Sequence, residues 1–168
     1  MNKALLVIDV QEVFVGENKN KMFDYGDELV KNINRIIDEN ADNTVVYIYN
    51  YMKRSFINKF APFHIYENTP EAEPPKSLKI VSEHKFVKYE GNAFSNPDLD
   101  KFLKEKDIDA VEVVGIDGGA CVPMTALGAI ENGYKVIVNS KGIGTFKLRV
   151  KQKNKLEKKL KELGAEFK

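Results

Sequence analysis

The chain has 168 residues, with 26 Lys or Arg against 25 Asp or Glu, a size for one domain, residues 1–168, with one compact core and no need of a disulfide or structural metal. That balance offers no charge excess to draw nucleic acid or an anionic membrane surface, and no stretch approaches the ~20 apolar residues that span a bilayer. A single cysteine forms no internal disulfide, and the apolar run from Ala4 to Ile8 is too short for a signal peptide, so the expected location is cytoplasmic.

The run Ala4-Leu5-Leu6-Val7-Ile8 is continuously apolar, as a strand covered on both faces of a parallel sheet must be, and it ends at Asp9. Leu29, Ile33, Ile36 and Ile37 then repeat with helical spacing, with Asp24 and Asp27 available as caps. Thr44 to Tyr49 is again strand-like. Residues 51–77 mix Phe56, Phe60, Phe63, Ile65 and Tyr66 with Pro70, Pro74 and Pro75 and read as a long connection with at most short helices. Their aromatics are expected to pad the core, to form a lid over a pocket or to meet a second subunit, and some of those in 56–66 are candidates for a pocket wall.

Leu78 to Val81 and Lys85 to Lys88 are two short strand candidates. Ser95-Asn96-Pro97 opens a helix with a capping residue before proline, carrying Leu99, Phe102 and Leu103 on its inner face. The strongest strand, Ala110 to Ile116, breaks into the turn Asp117-Gly118-Gly119, and a helix follows from Ala120 or Cys121 to Gly133. Tyr134 to Val138 is a further strand. A last helix carries Leu148, Leu156, Leu160 and Leu163, and Ala165 to Phe167 is a short edge strand. This alternation predicts a three-layer α/β/α domain with a mainly parallel sheet of about six strands and right-handed crossovers.

In such sheets ligands bind outside the carboxyl ends of the strands, where strand order reverses. Few reactive groups lie there: Asp9 after the first strand, Lys88 after a short one, and Cys121 beyond the glycine turn. A thiol in the first turn of a helix feels the positive end of the dipole, which favours thiolate. The same N–H groups, with those of Gly118 and Gly119, suit an oxyanion. A carboxylate ending a buried apolar run is costly to desolvate without a purpose, and Asp9 is placed to move a proton. The bland alternatives are a buried cysteine, a turn-forming aspartate and a solvated lysine.

Three segments resemble the isochorismatase-like hydrolase family. Asp9-Val10-Gln11-Glu12-Val13-Phe14 is similar to its D-x-Q-x-x-F opening, and Lys88 through Asn92-Ala93-Phe94 to its K-x-x-x-S-A-F segment. Gly115 through Cys121-Val122 to Thr125-Ala126, followed by Gly133-Tyr134-Lys135-Val136, is similar to its G-x-x-T-x-x-C-V-x-x-T-A and G-Y-x-V segments. The resemblance implies Cys121 as nucleophile with Asp9 and Lys88 as partners. It further implies oxyanion donors at the Gly118 and Cys121 N–H groups and a cis peptide joining Asp117 to Gly118. Gln11, Phe14, Asn92 and Phe94 become substrate-binding candidates.

Departures narrow what the resemblance implies. Gly118 stands for the usual threonine, Asn92 for a serine and Gly128 for an aspartate; the first two are expected to touch the pocket and alter substrate choice. Metal-dependent nicotinamidases of the superfamily carry an aspartate and two histidines after the second strand, where this chain has Tyr51-Met52-Lys53-Arg54 and its only histidines are His64 and His84. No metal and no other cofactor is expected. Members that cleave the vinyl ether of isochorismate lack the cysteine, so its presence implies the amidase branch: cleavage of a small amide or related C–N bond through a Cys121 thioester. The expected partners are a small-molecule substrate and further copies of the chain, as homodimer or homotetramer. Two rivals exist: a binding or regulatory protein that kept the fold without turnover, and a nucleotide binder. No G-x-G-x-x-G or G-x-x-x-x-G-K-[ST] follows any strand, which disfavours the second.

Overall fold

A computed structural model describes all of residues 1–168. Six strands, β1 (Lys3–Ile8), β2 (Thr44–Asn50), β3 (Lys85–Lys88), β4 (Ala110–Ile116), β5 (Lys135–Gly144) and β6 (Glu166–Phe167), form one sheet. The order is β3-β2-β1-β4-β5-β6, with every neighbouring pair parallel. Helices α1 (Glu12–Val15), α2 (Glu28–Glu39), α3 (Pro97–Glu105), α4 (Cys121–Glu131) and α5 (Val150–Glu162) cover it. Strand order reverses between β1 and β4, and the crevice for a ligand opens there. No helix is long and apolar enough to cross a membrane.

The two faces of the sheet have separate cores. Alternate residues of β1 serve both: Leu5 and Val7 pack with Leu29, Ile33, Ile36 and Ile37 of α2, whereas Ala4, Leu6 and Ile8 pack with Leu99 and Leu103 of α3 and Val122, Ala126 and Ala129 of α4. All five β1 residues from Ala4 to Ile8 are at most 1% exposed, and removal from water stabilises each large aliphatic side chain by ~1.5–3 kcal/mol. A carboxylate sits within β4 itself. Glu112, in the middle of β4 and fully buried, accepts hydrogen bonds from Lys3 (2.6 Å), Lys168 (2.8 Å) and Asn139 (2.8 Å).

Several boundaries differ from the sequence reading. Leu78 to Val81 is not a strand, because its polar backbone is satisfied by side chains: Asn34 Oδ1 accepts the Lys79 N–H, and the Tyr47 hydroxyl donates to Lys79 O and accepts from Val81 N–H. β5 runs six residues past Val138, through Gly142 and Gly144. They are small because α2 and β4 press on them: a Cβ at Gly142 would stand 2.7 Å from Ile36 Cδ1 and from Val114 Cγ1. Asn96 caps α3 as expected, accepting the Asp98 N–H at 3.0 Å. Neither acidic candidate caps α2; Asp27 sits at its start without a capping bond and pairs with Lys19, and Asp24 pairs with Lys147. In the last helical region only Leu160 is fully buried, while Leu148 and Leu163 are exposed.

Candidate active site

Asp9 follows β1 at the reversal point. Its φ is +54°, a left-handed conformation uncommon outside glycine. Its N–H donates to Ile48 O and its carbonyl accepts the Gln11 N–H, each at 2.9 Å, so the turn is fixed from both sides. Lys88 ends β3 two strands away and is 1% exposed. Its ammonium donates to Asp9 Oδ2 at 2.8 Å. Cys121 opens α4 from the other half of the sheet, where its thiol feels the charges of both Asp9 and Lys88. Three residues far apart in sequence meet at one crevice.

The electrostatics of this trio are dominated by burial. It pushes the Asp9 carboxyl above the ordinary carboxylate range, with Lys88 opposing. For Lys88 burial works against the charge, but the negative Asp9 outweighs it, with a smaller contribution from Cys121, and holds the ammonium protonated. Burial and the Asp9 charge push the Cys121 thiol up to about 12, with Lys88 opposing. The expected dipole-stabilised thiolate therefore does not form at rest: desolvation outweighs a helix N-terminus worth about 1 kcal/mol. Asp9 Oδ1 has no hydrogen-bonding partner in the protein, which leaves one carboxylate oxygen free to accept a proton.

The turn before Cys121 corrects the expected oxyanion donors. The Gly118 N–H donates to Gly144 O at 2.8 Å, the Gly119 N–H to Asp117 Oδ1 at 2.6 Å and the Ala120 N–H to Asp117 O at 3.0 Å. None of these is free. The cis peptide joins Ile116 to Asp117, one residue earlier than expected. The backbone N–H groups of Asp117 and Cys121 donate to no protein acceptor.

Beside Asp9 and Cys121 lies a cavity of about 210 Å³. Its apolar wall is Met22, Phe23, Tyr25, Phe63, Ile116 and Phe146 with Phe14, and its polar remainder is Asn50, Asp117 and Arg149. Phe23 centres the wall, with ring centroids 4.8 Å from Phe14, 5.0 Å from Phe63 and 5.9 Å from Tyr25. Burial, then the Asp117 charge, raises the Tyr25 phenol above its ordinary range, so it stays neutral and donates to Asp117 Oδ2 at 3.3 Å. Asp117 Oδ2 also accepts the Phe146 N–H at 2.7 Å.

Of the four substrate-binding candidates, only Phe14 lines this cavity. Gln11 is fully buried and acts as a clamp: its amide donates to Asn50 O (3.1 Å) and Ala72 O (2.8 Å) and accepts the Asn50 N–H (3.0 Å). Phe94 packs near the Tyr134 ring in the second core. Asn92 caps the turn at Ala93–Ser95 through the Phe94 N–H, and its amide fills the space beside Gly128, where any Cβ would collide with it. The two departures at 92 and 128 thus compensate each other by volume. A Cβ at Gly118 would collide with the Thr145 hydroxyl and stand 2.8 Å from Ile143 Cγ2, so a threonine here would require those side chains to shift, and the position is not on the cavity lining.

The aromatic connection divides. Phe63 lines the cavity, whereas Phe56 and Phe60 are exposed. The wall residues Met22, Phe23, Tyr25, Phe146 and Arg149 escaped the sequence reading because they come from segments without regular periodicity. His64 Nε2–H donates to Asn58 O and His84 packs on Phe102, and the chain has no cluster of three or more His, Cys, Asp or Glu that fits a metal ion.

The structure superposes on an isochorismatase-like hydrolase from Alkaliphilus metalliredigens at 26% identity, with a TM-score of 0.85 over 99% of this chain and 94% of that one. It shares its fold with a zinc-complexed pyrazinamidase of Pyrococcus horikoshii (23% identity, TM-score 0.81, 100% and 99% of the chains). It shares it also with an N-carbamoylsarcosine amidase from Thermoplasma acidophilum (20%, 0.83, 100% and 96%). No curated protein sequence matches the chain significantly. The isochorismatase domain model matches residues 3–166, from the first strand to the last, and the chain belongs to the isochorismatase family.

Proposed function

We propose that the chain is a cysteine hydrolase that cleaves the C–N bond of a small amide through a thioester on Cys121. The observation that carries this reading is the buried Lys88–Asp9 ion pair beside a thiol at the mouth of a small cavity. A thiol raised to about 12 is not ionised in advance, so its proton must leave as the sulfur attacks. Asp9, with one oxygen unpartnered, is the group to take it. Sγ adds to the carbonyl carbon, and the oxyanion is held by the Asp117 and Cys121 N–H groups. Asp9 then returns the proton to the departing nitrogen, the C–N bond breaks, and ammonia or an amine leaves with the acyl group on sulfur. Water, deprotonated by Asp9, hydrolyses the thioester and restores the thiol. Lys88 keeps its charge throughout and offsets the negative charge that passes between Asp9 and sulfur.

The pyrazinamidase and amidase neighbours support an amide substrate by shared fold. The test is ammonia release from a panel of small primary amides and ureido compounds, with Cys121→Ala as control and hydroxylamine trapping of the acyl-enzyme. Release that depends on Cys121, with a trapped adduct on that residue, is expected. Silence across the panel, together with Cys121 alkylation indifferent to Lys88→Ala, would shift the reading to a binding protein on a hydrolase fold.

A further inference from the structure

Asp9 is committed to Lys88, and Asp117 spends Oδ1 on the Gly119 N–H and Oδ2 on the Phe146 N–H and the Tyr25 hydroxyl. Arg149 is the remaining ionic group that lines the cavity, and its guanidinium forms no ion pair or hydrogen bond. Its backbone, however, is fixed. The Arg149 N–H donates to Phe146 O at 2.8 Å, and its Cβ and carbonyl oxygen would each stand 2.6 Å from a Cβ at Gly119. Arg149 is thus seated against the turn two residues before the nucleophile, with a free cationic fork.

We propose that the cavity takes amides that also carry a carboxylate, and that Arg149 determines this specificity by binding it. This rests on the hydrolase reading and narrows its substrate class. A guanidinium matches a carboxylate with two parallel hydrogen bonds, which a neutral amide or a lone ammonium does not reproduce. Asp117 keeps its charge on the same wall, with both oxygens held by the Gly119 and Phe146 N–H groups and the Tyr25 hydroxyl, so an acid end seats on Arg149 and away from Asp117. The volume of about 210 Å³ falls below the ~300–1,000 Å³ of sites for drug-sized ligands. The aromatic wall favours a short hydrocarbon or planar body. Together these describe the monoamide of a small dicarboxylic acid, amide toward Cys121 and acid toward Arg149.

The test compares matched pairs on one protein: succinamate against butanamide, and 3-carbamoylbenzoate against benzamide. The expected kcat/KM ratio favours the acids by about tenfold or more, the size of a charge-assisted hydrogen bond. Arg149→Gln is expected to bring the ratio close to one through KM, and Arg149→Lys to retain part of it. A ratio near one in the native protein, or one unchanged by Arg149→Gln, overturns the assignment. If no amide of either kind is cleaved, the hydrolase reading fails separately, and calorimetric binding of succinamate and butanamide decides the role of Arg149. Tighter binding of succinamate that is lost in Arg149→Gln upholds it, and equal binding of the two overturns it.

Discussion

Two buried carboxylates occupy neighbouring central strands and behave oppositely. Glu112, in the middle of β4, feels the burial that would raise it, but hydrogen bonds from Lys168, Lys3 and Asn139 outweigh that and hold it below the ordinary glutamate range. Asp9, at the end of β1, has one cationic partner and one unpartnered oxygen, and burial wins. The difference lies in the number of donors. A buried acid satisfied on both oxygens is a fixed anion that ties the fold, whereas one satisfied on a single oxygen keeps a proton affinity useful for transfer.

The largest effect that would break this comparison is on catalysis: Asp9→Asn keeps shape but not basicity, and should lower kcat/KM for any amide the protein cleaves by ~10³-fold or more. Glu112→Gln should leave turnover per folded molecule within a few-fold. It should cost about 2–3 kcal/mol of stability in urea unfolding, since Lys3 and Lys168 lose their anion. Because Glu112 is depressed in the folded state, its stabilisation is fully present above the ordinary glutamate value of ~4.3. It is lost as pH falls through the lower folded value, so the gap between native protein and Glu112→Gln should close in acid; a gap constant down to strongly acid pH would contradict the assignment.

A smaller effect concerns the thiol. Removing the Asp9 charge while keeping Lys88 should move the Cys121 titration, followed by thiolate absorbance, down from about 12 by roughly one unit, equivalent to ~1.4 kcal/mol. An unchanged midpoint would mean that burial alone sets it. Smallest is a packing test: Gly128→Ala collides with the Asn92 amide and should cost ~1 kcal/mol, largely recovered by adding Asn92→Ser. Additive losses would show that the two positions do not compensate each other.

The sheet was legible from its apolar runs, and Asp9, Lys88 and Cys121 from their places near strand ends together with the motifs that resemble the isochorismatase-like family. What escaped depended on pairs of residues distant in sequence. Asn92 and Gly128 read singly look like two losses, whereas across the α4 interface they exchange volume. Gly142 and Gly144 carry the composition of a turn, yet their smallness answers the approach of α2 and β4 to β5. Gln11 sits in the right motif, but whether an amide faces a ligand or the backbone of Asn50 depends on where β2 ends. Arg149 carries no local signal, since many cations line this chain and only the cavity singles it out.

The position of Lys88 at the end of β3 has a consequence for assembly. Asp9 and Lys88 both lie within the first 88 residues, on the β1–β3 side of the sheet, while Cys121 and the turn before it belong to the β4–β6 side. The chain therefore divides near Gly91 into a fragment holding the charge pair and a fragment holding the sulfur, neither with a complete set of reactive groups. Reactivity at Cys121 becomes a readout of whether β1 and β4 have zipped together, so the molecule carries its own reporter of half-to-half docking.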